Sequence, residues 1–331
     1  MQMEAQVIQA FGGPEVFQTL EILRPEPKAG QVLIRVAASS VNPADLGIRS
    51  GALQTIAPAF PAILHGDVAG IVDAVGEGVT AFRPGEAVYA CAGGVVGSPG
   101  ALGDYMLADA ALVAKKPASL SMAEAGVLPL VSITAWEALV ERAQVAPGEK
   151  VLIHGGTGGV GHIAIQLAKW LGATVYTTVS SPSKVAIARG LGADVTIDYR
   201  TQAVDDYVAE HTGGTGFDVV LDTVGGTNID ASFRAARLNG RVVSLNTFSS
   251  HDLSLMHLKG LSLHVVFMLI PLLHGIGRAR HGQILAQIGE LVDKGLVRPR
   301  LDPTSFPFAE VGRAHAYAAD RRSVGKIALV R

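Results

Sequence analysis

Residues 154–180 read HGGTGGVGHIAIQLAKWLGATVYTTVS. Gly155, Gly156, Gly158, Gly159 and Gly161 crowd between the apolar run KVLI and an amphipathic stretch. Glycine loses more conformational freedom on folding than any other residue, so such crowding needs a reason. Gly156, Gly158 and Gly161 spell G-x-G-x-x-G between a predicted strand and a predicted helix. In that setting the three have assignable tasks: a tight turn, backbone approach to a pyrophosphate, and close packing of helix on sheet. The helix N-terminus adds free N–H groups and the positive end of a dipole. A glycine-rich structural turn is the bland alternative. The reading is a dinucleotide site over Gly156, Gly158, Gly159, Val160 and Gly161.

The end of the next strand says which dinucleotide. An NAD site places an acidic residue about 20 residues on, against the ribose diol. Here no Asp or Glu stands between Gly161 and Asp194. The strand runs instead into Ser180, Ser181 and Lys184. Two hydroxyls and a point charge suit a 2′-phosphate, so the expected cofactor is NADPH. A solvated helix-face lysine is the alternative for Lys184, and the missing carboxylate is the stronger signal.

Outward from this loop the chain has two textures. Residues 150–270 alternate strand and helix: VLIHG, TVYTTV, DVTIDY, FDVVLD, RVVSLN and LSLHVVF are predicted strands. Repeated βα units imply a doubly wound parallel sheet. The first 120 or so residues hold short β-like segments, AQVIQA, VLIRVAAS, GDVAGIVDAVG and EAVYAC, between turn signals. Residues 121–145 have helical spacing, with Ser121 and Glu124 as a capping box. After 270 one more helix, GQILAQIGELVDKG, precedes short segments ending in KIALV. That tail has no room for a core of its own and is expected to return to the β domain.

Composition excludes several classes. The 331 residues carry a net charge of −2 with both signs interspersed, so no basic stripe tracks a nucleic acid. The longest apolar run, LSLHVVFMLIPLL, falls short of the roughly 20 residues a membrane span requires. No leader is read at the N-terminus, and a cytoplasmic protein is expected. The one cysteine, Cys91, reads as a small core residue and rules out intrachain disulfides and cysteine-rich zinc sites. The histidines at 251, 257, 264, 274 and 281 fit no local ligand spacing, so no metal site is expected.

The sequence resembles the medium-chain dehydrogenase/reductase superfamily, in its zinc-free NADPH:quinone oxidoreductase-like branch. The resemblance runs through VNPADLGIRSG, HGDVAGIVDAVG, VSITAWEALVERAQVAPGEKVLI, the glycine loop, GADVTIDYR, FDVVLDTVGG, GRVVSLN and VGKIALV. It implies a GroES-like β-rich catalytic domain over 1–122, an NADP-binding Rossmann domain over 123–270, and a return to the catalytic domain over 271–331. Zinc-dependent relatives carry a Cys at the start of Asn42-Pro43-Ala44-Asp45 and a His where this chain has Gly66. The resemblance sets Asn42 facing nicotinamide and substrate with Asp45 beside it. The alternative is that both only fix a turn and cap a helix. Thr134 matches a threonine near the nicotinamide, or else packs inside its helix. Lys184 and Tyr199 match residues that hold the adenosine phosphate, though Tyr199 also reads as a surface aromatic. Asn246, closing GRVVSLN, completes the cofactor set. Gly47 stands where the branch often has a tyrosine, which leaves the acceptor open.

The expected activity is metal-free, NADPH-dependent reduction of quinones or α,β-unsaturated carbonyls by hydride transfer. A conjugated acceptor spreads the developing charge, which an unconjugated ketone does not. A zinc-free enoyl or aldehyde reductase is the alternative among enzymes. A non-catalytic NADPH-binding redox sensor or structural protein is the alternative outside them. A homodimer is expected, because an apolar last strand would otherwise leave a bare sheet edge.

Overall fold

Strand-forming runs of small and β-branched residues shape the first part of the chain. The structure, a computed structural model, describes residues 1–320 and 323–331. It has two units, Met1–Ile133 with Leu269–Arg331, and Thr134–Met268. In the first, β1 (Gln2–Ile8) and β2 (Phe17–Leu23) pair antiparallel. A larger sheet holds β3 (Gln31–Ser40), β4 (Asp67–Val75), β5 (Ala87–Cys91), β6 (Tyr105–Asp109) and β7 (Val113–Lys115). β3 lies antiparallel to β4 with register shifts, and at Gly70 a Cβ would stand 2.2 Å from the Arg35 carbonyl oxygen. Glycine alone allows that approach. Helix α1 (Pro43–Ser50) follows β3, with Asn42 as its N-cap and Gly51 closing it at φ +88°.

The stretch 121–145, with its helical spacing, is helical in three pieces. α2 (Met122–Gly126) and α3 (Pro129–Trp136) are separated at Pro129, and residues Glu137–Arg142 continue as a π-helix. Proline suits the first turn of a helix, where its missing N–H costs nothing, so it restarts rather than extends. The capping box is present: the Ser121 hydroxyl accepts from the Glu124 N–H at 3.3 Å, and Glu124 accepts from the Ser121 N–H at 2.8 Å.

The second unit is a parallel sheet of β8 (Lys150–His154), β9 (Thr174–Val179), β10 (Val195–Asp198), β11 (Phe217–Asp222), β12 (Ala236–Ser244) and β13 (Ser262–Val265). Its order is β10-β9-β8-β11-β12-β13, the doubly wound order with a switch point between β8 and β11. Between the strands run α4 (Gly159–Trp170), α5 (Pro182–Gly190), α6 (Val204–Thr212), α7 (Asn228–Ala235) and α8 (Ser254–Leu258). At their centres β8 and β11 carry the unbroken apolar runs 151–153 and 219–221, all fully buried, as parallel strands do. The fold is therefore α/β, as expected. The run LSLHVVF gives only the four residues of β13, and Val265 and Phe267 beyond its middle are part-exposed.

The chain then re-enters the first unit. α9 (Ile270–His274), α10 (Arg278–Asp293) and α11 (Val311–Ala319) precede and flank β14 (Phe306–Pro307), and β15 (Ala328–Val330) lies antiparallel to β3. The buried Tyr89 hydroxyl donates to the Leu285 carbonyl at 2.5 Å, tying β5 to α10. No helix among the described residues is long and apolar enough to cross a membrane. Replacing Ser121 by Ala should cost about 1 kcal/mol by removing a helix cap. Chemical denaturation of the full chain measures this, and an unchanged midpoint would show the cap to be idle.

Candidate functional site

In the nucleotide-fold unit the glycine loop is held from below by hydroxyls of β9. Thr177 Oγ1 donates to the Ile153 carbonyl at 2.7 Å, and Thr178 Oγ1 accepts from the Gly155 N–H at 3.1 Å. The turn itself falls to Gly155, at φ +74°, which the motif reading left out. A Cβ on Gly156 would sit 2.0 Å from Thr177 Oγ1, and one on Gly161 would sit 2.2 Å from the Gly155 carbonyl oxygen. Those two glycines exist for packing. A Cβ on Gly158, the N-cap of α4, would meet only the Gly155 oxygen at 3.2 Å. The Gly158 N–H is spent on the Gly155 carbonyl at 3.0 Å, so it is the first turn of α4, at Gly159 and Val160, that offers N–H groups of the kind that cradle phosphate.

Beside the loop lies a cavity of about 410 Å³, within the range of small-molecule sites. Gly155, Thr157, Ser180, Lys184, Tyr199 and Arg234 contribute to its wall, and no carboxylate does. Lys184 Nζ donates to Ser180 Oγ at 3.1 Å, so the two expected phosphate ligands already stand together. Ser181 does not join them. Its hydroxyl accepts from the Lys184 N–H at 3.4 Å and serves as the N-cap of α5. Asn246 also lies off this wall, packed against Gly225. Arg234 was not foreseen; it shares a face of α7 with Asn228 and Ala231, a spacing of three that the sequence does show. His154 closes β8 on the same wall, and burial pushes its imidazole down to about 4 against the opposing pull of Asp222. It is neutral near pH 7, so the positive charge of the wall comes from Lys184 and Arg234.

The first unit gathers Asn42, Asp45, Asp67 and Lys326, all nearly inaccessible to water. Asn42 caps α1, and its N–H donates to Asp45 Oδ2 at 2.7 Å. Its Nδ2 donates to Asp67 Oδ2 at 2.9 Å, and its Oδ1 accepts from Lys326 Nζ at 2.5 Å. Asp67 Oδ2 also accepts from Ser40 Oγ at 2.6 Å, and Oδ1 from the Leu130 N–H at 2.8 Å, near the start of α3. The amide of Asn42 is therefore committed at both ends and is not a free donor toward an acceptor. Burial raises the Asp45 carboxyl to about 7, and Asp67 adds to the rise. Lys326 and the Asn42 hydrogen bonds oppose it. Thr134, the first residue of the second unit, is buried in α3. Gly47 has no open space above it, because a Cβ there would stand 2.8 Å from a methyl carbon of Leu53. Asp67 and Lys326 were missed; a lysine inside the apolar run VGKIALV was the available signal.

Residues 28–118 match the alcohol dehydrogenase GroES-like domain, and residues 191–329 match the zinc-binding dehydrogenase family. The chloroplastic NADPH-dependent alkenal/one oxidoreductase of Arabidopsis thaliana is 32% identical over 98% of this chain and 79% of its own length. The chain belongs to the medium-chain dehydrogenase/reductase superfamily. Within it the chain falls in the quinone oxidoreductase-like branch. A 2-haloacrylate reductase of a Burkholderia species is 33% identical, with 98% of each chain covered. An alcohol dehydrogenase superfamily protein from Novosphingobium aromaticivorans superposes with a TM-score of 0.95 at 44% identity over 99% of both chains. A mycobacterial quinone oxidoreductase does so with a TM-score of 0.86 at 30% identity, over 99% of this chain and 100% of its own. Some relatives are far longer: the chain spans 8% of the Mycobacterium tuberculosis mycoketide-CoA synthase, at 33% identity.

The family description raises zinc, and the residues do not fit it. Asn42 and Gly66 stand where the resemblance sets two zinc ligands, and a Cβ at Gly66 would stand 2.9 Å from the Gly93 carbonyl oxygen. Among the described residues no three His, Cys, Asp or Glu side chains are grouped to hold a metal.

The Asp45 carboxyl predicts a pH dependence of stability. Its folded value is raised from 3.8 to about 7, so the folded state keeps a proton that the unfolded chain releases. Its contribution is complete below pH 4 and is lost as pH rises through 7. Asp45→Asn should be more stable than the parent by roughly 2–4 kcal/mol at pH 8 and no more stable at pH 4. Melting curves across pH decide it, and a gain independent of pH would contradict the assignment.

Proposed function

We propose that this chain is an NADPH-dependent oxidoreductase that reduces α,β-unsaturated carbonyls or quinones by hydride transfer without a metal. The observation that carries the reading is the wall beside the glycine loop, with Ser180, Lys184 and Arg234 and no carboxylate. That is the chemistry of a 2′-phosphate rather than of a ribose diol. The relatives named for alkenal/one, haloacrylate and quinone reduction support the acceptor class.

The helix-start amides at Gly159 and Val160 and the two cations would hold the cofactor, which when bound supplies the hydride. We assign Asn42, Asp45 and Thr134 to the acceptor side. Asn42 acts there by shaping the site, since its amide bonds inward. A conjugated acceptor delocalises charge onto its oxygen as hydride arrives. It therefore needs less from the protein than an isolated carbonyl, where losing one oxyanion donor costs about 10²–10³ in rate. The proton that completes the reduction comes from solvent. A reducing cytoplasm fits the single buried thiol. A homodimer formed across β13 would cover Val265 and Phe267.

Fluorescence titration should show NADPH bound at least about tenfold tighter than NADH, since a hydrogen bond to a charged group contributes about 1.5–3 kcal/mol. Lys184→Ala and Arg234→Ala should each erode that preference and leave NADH binding nearly unchanged. Steady-state oxidation of NADPH should proceed with enones or quinones and persist in chelator, whereas simple alcohols should not be oxidised. Equal affinities for the two cofactors, or loss of activity in chelator, would overturn the proposal. Light scattering at micromolar concentration should give twice the chain mass, and a monomer would sink the dimer.

A further inference from the structure

Lys326 has an unusual position for a lysine. It is 4% exposed, and its Nζ donates to the Val41 carbonyl at 2.9 Å and to Asn42 Oδ1 at 2.5 Å. Asp67 Oδ2 lies 4.0 Å away. A strongly hydrated ammonium is buried only when its partners replace water. All of those partners belong to the two residues ending the β3–α1 connection and to β4. The lysine is also fixed along its backbone: its N–H donates to the Arg300 carbonyl and its carbonyl accepts from the Asp302 N–H, both at 2.8 Å.

The chemistry of the three groups leaves Asn42 a single orientation. An ammonium only donates, and a carboxylate only accepts. The amide must therefore turn Oδ1 to Lys326 and Nδ2 to Asp67, and a flipped amide would lose both bonds. With the Asn42 N–H on Asp45, one residue of the α1 cap is pinned at three points.

We propose that Lys326 is a positioning residue for the reduction, acting through Asn42 to lock the Asn42–Asp45–Asp67 unit into one arrangement. The inference rests on the reductase reading above and deepens it. The charged and titratable groups around Asp45 are few. Asp67 of β4 and Lys326 face it from opposite signs, and the Cys91 thiol at the end of β5 is pushed up by burial and by both carboxylates. Arg49, on the same helix as Asp45, is turned to the Gly12 carbonyl at 2.9 Å. The sign of each neighbour on Asp45 is thus defined: Lys326 favours its ionised form and Asp67 its neutral form.

Two variants of nearly equal volume test this. Lys326→Met should lower kcat for an enone by about tenfold or more while the Kd for NADPH stays within about twofold, the signature of lost acceptor-side positioning. The Asp45 carboxyl, followed by ¹³C NMR of labelled aspartate and identified with Asp45→Asn, should titrate higher in Lys326→Met and lower in Asp67→Asn, each by about half a pH unit or more. Opposite shifts with the kcat loss support the proposal, because a filler of volume would move neither titration in a set direction. Unchanged kcat in Lys326→Met, or shifts of the same sign or none, overturns it. If Lys326→Met fails to fold, the Asp67→Asn titration and kcat decide alone. If the parent chain turns over no acceptor, the reductase reading falls by itself. The titrations then still report whether Lys326 governs the cluster, and unshifted ones overturn this inference as well.

Discussion

A carboxylate with no access to water sets the terms for the first unit. Asp67 is fully buried, and an ionised group so placed is tolerated only when every lone pair finds a donor. It collects Ser40 from β3, Asn42 from the cap of α1, the Leu130 N–H near the start of α3, and the charge of Lys326. Three stretches of chain far apart in sequence, around residues 40–42, 130 and 326, are thereby held to one point of β4. Removing any donor leaves a buried acceptor exposed to its full desolvation cost. The cluster is consequently a unit, and the Asn42 amide belongs to its interior.

The second unit follows a different logic, of steric permission. Gly155 bends the chain where φ is positive, Gly156 and Gly161 let strand, turn and helix meet at backbone distance, and Gly158 caps α4 close to the Gly155 carbonyl. The wall beside the loop adds cations without a compensating carboxylate. One unit presents its cations to a cavity, and the other hides its charges. That division matches a superfamily in which the cofactor carries the chemistry and the protein arranges it.

Much of this was legible in the residues, for local reasons. The glycine loop, the acid-free end of β9, the alternating βα texture and the Ser121–Glu124 capping box are written within a few residues of each other. Period and capping chemistry act over that range. At three places the structure shows a tertiary demand that the local pattern does not carry. Ser181 is spent capping α5, the helical run at 121–145 restarts at Pro129, and β13 keeps only four residues of an apolar stretch. Arg234, Asp67 and Lys326 were missed because no short-range pattern marks them. Lys326 and Asn42 are 284 residues apart, and only the fold joins them.

That separation bears on the order in which the protein can be made. The Gly155 loop, its sheet and its helices lie in one continuous stretch, so the nucleotide-fold unit has all its parts once that stretch has emerged from the ribosome. The first unit is split around it. Until Lys326 is synthesised, Asp67 and Asn42 lack their cation, and β3 lacks the strand that borders it. Domains generally form as units during synthesis, and partly built ones expose surface that should be covered. The half-finished β domain must therefore wait, with its carboxylate still in water, while the inserted unit is made.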